Sequence, residues 1–381
     1  MMMKTIQNIF LLCAIVLLAS CSNRGGNGGS TFTETGVKEE IAYAKLFEIT
    51  RYSNCKVISI TNPWDTTRML QQYVLVEKDS PLPDNLPSGT IIRTPVENII
   101  MYSTIHASIW EELGALDSVV GICESEYVTS QKAKQMMAEG KILDCGMAAS
   151  PNVEKIIDIE GKFIVASPFE NGGYGQAEKL GIPIFESADY MENHPLGRVE
   201  WMKVFGLLSG KEEVADSLFR STENSYNSLK AMAAGAAGNN PRIMSERKYG
   251  SSWFIVGGAS YIAQMYKDAG ADYIFNDNPD TGSVPMAFET VFDKGADSDL
   301  WVFKYAAERP MTYVDLEAEY NPYAEFAPFK NRNIYVCNTM DTPYYEYIAI
   351  HPDYILADYV KMFHPHLLPD YEPVCYFPMP E

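Results

Sequence analysis

Short apolar runs bounded by turn residues open the folded part of this chain, and helical periodicity enters only after about Ile91. Ala44 to Thr50 and Cys55 to Ile60 read as strands separated by the turn Tyr52-Ser53-Asn54, and Tyr73 to Val76 as a third. Asp79 to Gly89 is a proline-rich loop. The pattern then becomes regular. Strands are expected at Ile99 to Tyr102, Ser118 to Ile122, Phe163 to Ala166 and Ile182 to Phe185. Between and after them, helices are expected at Ile105 to Leu113, Ser130 to Met137, Val153 to Ile159, Ala177 to Leu180 and Leu196 to Leu208. Alternation at this spacing predicts βαβ units and a mostly parallel sheet.

The second half repeats the plan. Strands are expected at Arg242 to Met244, Tyr273 to Phe275, Leu300 to Phe303 and Ile334 to Cys337. Helices are expected at Ser260 to Ala269, Phe288 to Phe292, Leu316 to Tyr320 and Ile355 to Phe363. Between the halves lies the longest helical segment. Ser209 followed by Glu212 has capping-box spacing, and Val214, Leu218, Tyr226, Leu229 and Met232 suit one helical face. Gly235, Gly238, Asn239, Asn240 and Pro241 mark its end. Roughly 25 residues of helix would run about 38 Å, the span of a small lobe. The expected fold is therefore α/β: two Rossmann-like lobes bridged by one long helix, with an extra strand-rich segment opening the first lobe.

The first 21 residues stand apart. Lys4, the apolar run Ile9 to Ala19 and the ending Leu18-Ala19-Ser20-Cys21 have the form of a lipoprotein signal peptide, with Cys21 as the acylated residue. The glycine-rich stretch that follows reads as a tether. This divides the chain into 1–21 leader, 22–36 tether, 37–208 N-terminal lobe, 209–240 interlobe helix and 241–381 C-terminal lobe. It also places the protein in the periplasm, held to a bacterial membrane by lipid alone.

Composition narrows the chemistry. With 381 residues the chain can bury a sizeable core, and a formal charge of −20 leaves no basic surface for nucleic acid. Cys55, Cys123, Cys145, Cys337 and Cys375 show no CxxC pairing and hence no metal cluster. Cys123 and Cys145 each end an apolar run, so a disulfide at one sheet edge is open to them, though buried free thiols are expected. No HExxH or GxSxG occurs, and Gly257-Gly258-Ala259-Ser260 lacks the lysine of a phosphate loop. His364-Pro365-His366 is at best a weak metal pair. No catalytic set, metal site or cofactor emerges, and the protein is not read as an enzyme.

Ligand sites of open parallel sheets lie at the carboxyl ends of strands. Those crests are Thr61 to Arg68, Ser103 to His106, Glu124 to Thr129, Met147 to Ser150 and Glu170 to Gly175 in the first lobe. In the second they are Ser245 to Trp253, Asn276 to Ser283, Lys304 to Thr312 and Asn338 to Tyr344. They carry rings and a few cations: Trp64, Arg68, Tyr127, Tyr174, Arg247, Lys248, Tyr249, Trp253, Tyr344 and its neighbour Tyr345. Such a surface suits a bulky ligand with apolar faces and anionic edges.

Val96 to Gly121, Val153-Glu154-Lys155-Ile156, Arg242 to Gly270, Gly282 to Leu300 and His351 to Leu368 together resemble the helical-backbone class of periplasmic substrate-binding proteins. These serve ABC importers for ferric siderophores, haem and cobalamin. The resemblance implies two lobes with limited closure around a ligand, a permease dimer as partner, and a monomeric binding protein. It also implies one permease-docking glutamate per lobe, at Glu154 and at Glu289 within Ala287-Phe288-Glu289-Thr290-Val291. The segments Ala44 to Leu86 and Thr312 to Phe329 depart from the family pattern, and Pro168 to Tyr190 carries no ligand signature, so the chelate stays open. Two other readings remain: a chelatase-like enzyme of tetrapyrrole or metal-chelate handling, and a surface lipoprotein that binds another protein.

Overall fold

Three five-stranded sheets carry the architecture. The computed structural model describes residues 32–236, 238 and 240–381, so the leader and Cys21 lie outside the described residues. The first sheet runs β1 (Val37–Lys38), β2 (Phe47–Arg51), β3 (Lys56–Thr61), β4 (Met69–Glu77) and β5 (Thr90–Thr94), in sequence order. Its pairs are antiparallel except β4 with β5, which are parallel across the proline-rich loop. One face is apolar: Phe47, Ile49, Ile58, Ile60, Tyr73 and Leu75 share a core with Ile99, Trp110 and Phe205 of the following lobe. The strand-rich opening is thus an extra layer on the first lobe.

Two buried carboxylates fasten it there. Glu200 accepts the backbone N–H groups of Ala42, Tyr43 and Ala44 at 2.8–2.9 Å, and Glu192 accepts those of Lys45 and Leu46 at 3.0–3.1 Å together with the Trp201 indole N–H. Five consecutive amides that have no ladder partner are satisfied in this way. Replacing Glu200 by glutamine keeps the volume but weakens these charge-assisted bonds. The expected loss is about 2 kcal/mol of unfolding free energy by denaturant titration.

The first lobe contains β6 (Ile99–Met101), α1 (Thr104–Glu112), β7 (Val119–Ile122), α2 (Gln131–Ala138), β8 (Leu143–Asp144), the small hairpin β9 (Gly146–Met147) and β10 (Ser150–Pro151), α3 (Val153–Asp158), β11 (Phe163–Ala166) and β12 (Ile184–Glu186). Its sheet is wholly parallel, in the order β12-β11-β6-β7-β8. Strands β6 and β11 are buried along their whole length, as expected where both faces of a parallel sheet are covered. Between the two sheets, Glu97 bridges Lys78 and Lys162 on the surface. The Lys162 hydrogen bond first, then that of Lys78, pulls its carboxyl down to about 2. The resulting stabilisation is fully present above the ordinary glutamate range and is lost as pH falls towards about 2. Acid unfolding of Glu97→Gln should therefore coincide with wild type at pH 2 and diverge above pH 4. High salt should shrink the gap, because the groups are exposed.

Two helices, α4 (Pro195–Glu200) and α5 (Met202–Ser209), replace the single one expected from Leu196 to Leu208. The long helix α6 runs from Glu212 to Ala234, 23 residues, or about 34 Å. Its expected cap does not form. Ser209 closes α5, its hydroxyl donating to the Phe205 carbonyl at 2.8 Å, and Gly210 turns the chain at φ 69°. Glu212 instead receives Arg51 at 2.8 Å and Lys56 at 2.5 Å from the first sheet. The buried seam is Ala215, Phe219, Thr222, Tyr226 and Ala233, while Val214 and Met232 are exposed. Small residues let the helix approach closely, which a count of large apolar residues overlooks. Ala215 and Phe219 belong to the first core and Tyr226 and Ala233 to the second, so α6 is packed into both lobes.

The second lobe comprises β13 (Arg242–Ser245), β14 (Lys248–Tyr249), β15 (Ser252–Val256), α7 (Tyr261–Asp268), β16 (Asp272–Tyr273), β17 (Ser283–Met286), α8 (Phe288–Gly295), β18 (Leu300–Tyr305), α9 (Tyr313–Glu319), α10 (Ala327–Lys330), β19 (Ile334–Asn338), α11 (Tyr344–Ile350), α12 (Pro352–Phe363) and β20 (Phe377–Pro378). Its main sheet has the order β16-β13-β18-β19-β20, parallel except for the last strand, and β14-β15-β17 form a small antiparallel sheet beside it. Asp358 of α12 accepts the amides of Val374, Cys375 and Tyr376 and the Tyr371 hydroxyl, which fixes the carboxyl-terminal segment.

Candidate binding cleft

The carboxyl ends of the two parallel sheets meet across a cavity of about 1040 Å³. That is at the large end of small-molecule sites, which reach about 1,000 Å³. The first lobe contributes Tyr102, Ser103, Thr104 and Ile105 after β6, Glu124 and Glu126 to Thr129 after β7, and Lys134 from α2. Ala148 and Ala149 come from the hairpin, and Ser167, Phe169, Gly173 and Tyr174 follow β11. From the second lobe come Ala306 after β18, Thr339 and Met340 after β19, and Tyr345 and Glu346 of α11.

Each wall is built locally. Ser103 caps α1 by accepting the Ile105 amide, which turns the chain sharply at the end of β6. Glu124 has a left-handed backbone, φ 57°, uncommon for a side-chain-bearing residue, and its carboxylate accepts the Ala148 amide at 3.0 Å. Tyr174 donates to Glu186 at 3.0 Å and meets Tyr102 edge-on at 6.1 Å. Burial pushes the Tyr102 and Tyr174 phenols well above their usual range, so both stay neutral hydrogen-bond donors. Tyr127, Phe169, Met340 and Tyr345 are exposed large apolar side chains gathered around one opening. Across the cavity, Thr129 donates to Glu346 at 2.6 Å, a direct link between lobes.

Of the ring and cation positions expected from sequence, Tyr127, Tyr174 and Tyr345 line the cavity. The others do not. Trp253 is fully buried, stacked on Trp301 at 5.5 Å with its indole N–H donated to the Ser245 carbonyl. Tyr344 is buried against Tyr376, and the turn of α11 puts Tyr345 on the open side. Arg247 is spent on Glu319, and Lys248 sits 3.9 Å over the Tyr320 ring. Tyr249 is 83% exposed on the small antiparallel sheet. Trp64 and Arg68 lie in the β3–β4 turn of the first sheet, held by Asn62 and Asp65. Trp64, Arg68, Lys248, Tyr249 and Trp253 stay off the cavity lining because strands β3, β14 and β15 belong to the added sheets, whereas Arg247 is drawn to Glu319 and Tyr344 is turned into the core by α11. The missed residues Tyr102, Glu124, Glu126, Thr129, Met340 and Glu346 sit at strand ends already marked as crests or just beyond them.

The remaining chemistry is structural. His364 is buried with its ring 3.2 Å from the Gly270 carbonyl, which removes it from any surface metal pair. Among the described residues no group of three His, Cys, Asp or Glu side chains is placed to hold a metal ion, and no helix is long and apolar enough to cross a membrane. All five described cysteines are buried free thiols. Burial, with the neighbouring thiol second, pushes Cys123 up to about 12; burial likewise pushes Cys145 to about 11. Glu154 and Glu289 are exposed in the first turns of α3 and α8 and lie outside the cavity.

Two α/β lobes, one shared helix and a ring-rimmed cleft are the architecture of a solute-binding protein of the helical-backbone type. The chain belongs to the periplasmic binding protein family, whose profile matches residues 99–340. An uncharacterized lipoprotein of Methanocaldococcus jannaschii is 28% identical over 95% of this chain and 94% of its own length. A second lipoprotein of that organism is 26% identical over 78% and 76%. Among solved structures, the apo periplasmic heme-binding protein of Roseiflexus sp. RS-1 is similar with a TM-score of 0.56 at 16% identity, covering 71% of this chain and 99% of that one. The periplasmic vitamin B12 binding protein of Vibrio cholerae gives 0.51 at 15% identity, covering 72% and 97%. At such identities the likeness is one of fold. The family is one of periplasmic proteins, and both relatives are designated lipoproteins.

Proposed function

We propose that this protein captures a metal chelate or corrinoid (a ferric siderophore, haem or cobalamin) in the interlobe cleft and delivers it to the permease dimer of an ABC importer. Acylation at Cys21 would hold it at the membrane, and Glu154 and Glu289 would dock it. The observation that carries this reading is the cleft itself: about 1040 Å³, rimmed by Tyr127, Phe169, Met340 and Tyr345 and floored by phenol donors. Rings of this kind cover the faces of a bulky planar or globular chelate while hydroxyls hold its edge.

The test is cargo retention. The full chain in detergent is mixed with aquacobalamin, ferrioxamine B or haem, then desalted. One equivalent of ligand absorbance should remain with the protein for at least one of the three. If all three pass through a folded protein, the cargo class is wrong.

A further inference from the structure

The charge of the cleft separates cargoes that its shape admits equally. Among the described residues, the acidic side chains lining it are Glu124, Glu126 and Glu346, and the one cation lining it is Lys134. Three basic residues on or just after strands of the second lobe are engaged elsewhere. Lys304 is half-buried and paired with Glu246, Arg247 is bound to Glu319, and Lys248 lies over Tyr320.

The carboxylates are positioned rather than scattered. Glu124 holds a left-handed backbone while the Ala148 amide fixes one of its oxygens, and such strain persists where the surroundings over-determine it. Glu346 is only 9% exposed, yet keeps its place at the cavity wall through Thr129. Tyr102, 5% exposed and also at the wall, has a hydroxyl with no hydrogen-bond partner among the described residues. A buried phenol left unpaired is a group awaiting a ligand atom.

We infer that the cleft selects chelates of net positive charge over their neutral and anionic counterparts, with Glu126 and Glu346 facing the positive edge and Tyr102 bonding a polar group of the ligand. This rests on the capture function proposed above. An anionic chelate would lose its water beside three carboxylates with one lysine to offset them, which is costly. A ligand bearing an ammonium group, or a cationic metal centre, gains from the same field. The carboxylates thereby disfavour the anionic edges that Arg68, Arg247 and Lys248 would suit, none of which lines the cavity.

A charge series at constant shape tests this on the full chain in detergent. Ferrioxamine B is singly positive, its N-acetyl derivative neutral and its N-succinyl derivative singly negative. Affinity should fall by about tenfold per step at low salt, and 0.5 M salt should compress the series. Glu126→Gln should also compress it without changing thermal stability, since that side chain is exposed. Aquacobalamin, a cation, against neutral cyanocobalamin supplies a second pair should the hydroxamates not bind. Equal affinities within a series that binds, or a preference for the anion, would overturn the inference while leaving the capture function standing. Failure of every probe to bind, and of haem beside them, would overturn both.

Discussion

Reversing Glu154 and Glu289 to lysine together should abolish delivery of cargo while leaving its capture unchanged. The two carboxylates lie one on each lobe, exposed in the first turns of α3 and α8 and away from the cavity lining. A permease that carries complementary cations would read both the charge and the separation of the lobes. Like charges brought face to face cost several kcal/mol. Each single reversal should lower uptake by about tenfold and the pair by more than about a hundredfold. The measurement is uptake of labelled cargo by cells, beside the dissociation constant of the purified variant. Normal uptake by the double variant would remove both residues from the docking surface, and weakened cargo binding would point to a folding defect instead.

Filling the cleft should have an effect as large on the other half of the cycle. Ala149 and Ala306 are exposed residues on opposite walls of the cavity, so Ala149→Trp with Ala306→Trp adds two indoles without disturbing a packed core. Binding should weaken by about a hundredfold or more, because overlap with two rings removes the ring contacts and the space together. Truncating Tyr127 or Tyr345 to alanine should cost about tenfold each, the worth of one ring contact. Trp253→Ala provides the contrast. Its ring is wholly inside the second core, so about 3–5 kcal/mol of stability should go while the affinity of the surviving folded protein stays near wild type. Calorimetric titration and thermal unfolding on the same samples separate the two outcomes.

These contrasts show where sequence patterns carried and where they failed. Strand and helix periodicity located both parallel sheets, because Ile99, Phe163 and Leu300 open apolar runs that only a doubly covered sheet explains. The crest loops followed from that topology, and most of the cleft lies on them. Which side chain on a crest enters the cavity did not follow. Tyr344 and Tyr345 are adjacent and chemically identical, and only the turn of α11 assigns one to the core and the other to the rim. Arg247 and Lys248 looked free until folding brought Glu319 and Tyr320 beside them, 72 residues away in each case. Long-range ion pairing is invisible to spacing rules. The start of α6 was misplaced for a different reason: Ser209 and Glu212 have capping-box spacing, yet Gly210 ends one helix between them.

The central claim, that cargo sits between the lobes, is tested most directly by oxidative footprinting of the full chain with and without bound chelate. Methionine oxidises readily where exposed, and Met340 at the cleft rim has a built-in control in Met69, equally open but on the first sheet. Cargo should protect Met340, along with Tyr127, Phe169 and Tyr345, and leave Met69 and Tyr249 unchanged. Protection at Met69 or Tyr249 with none at Met340 would place the ligand on the added sheets and contradict the account.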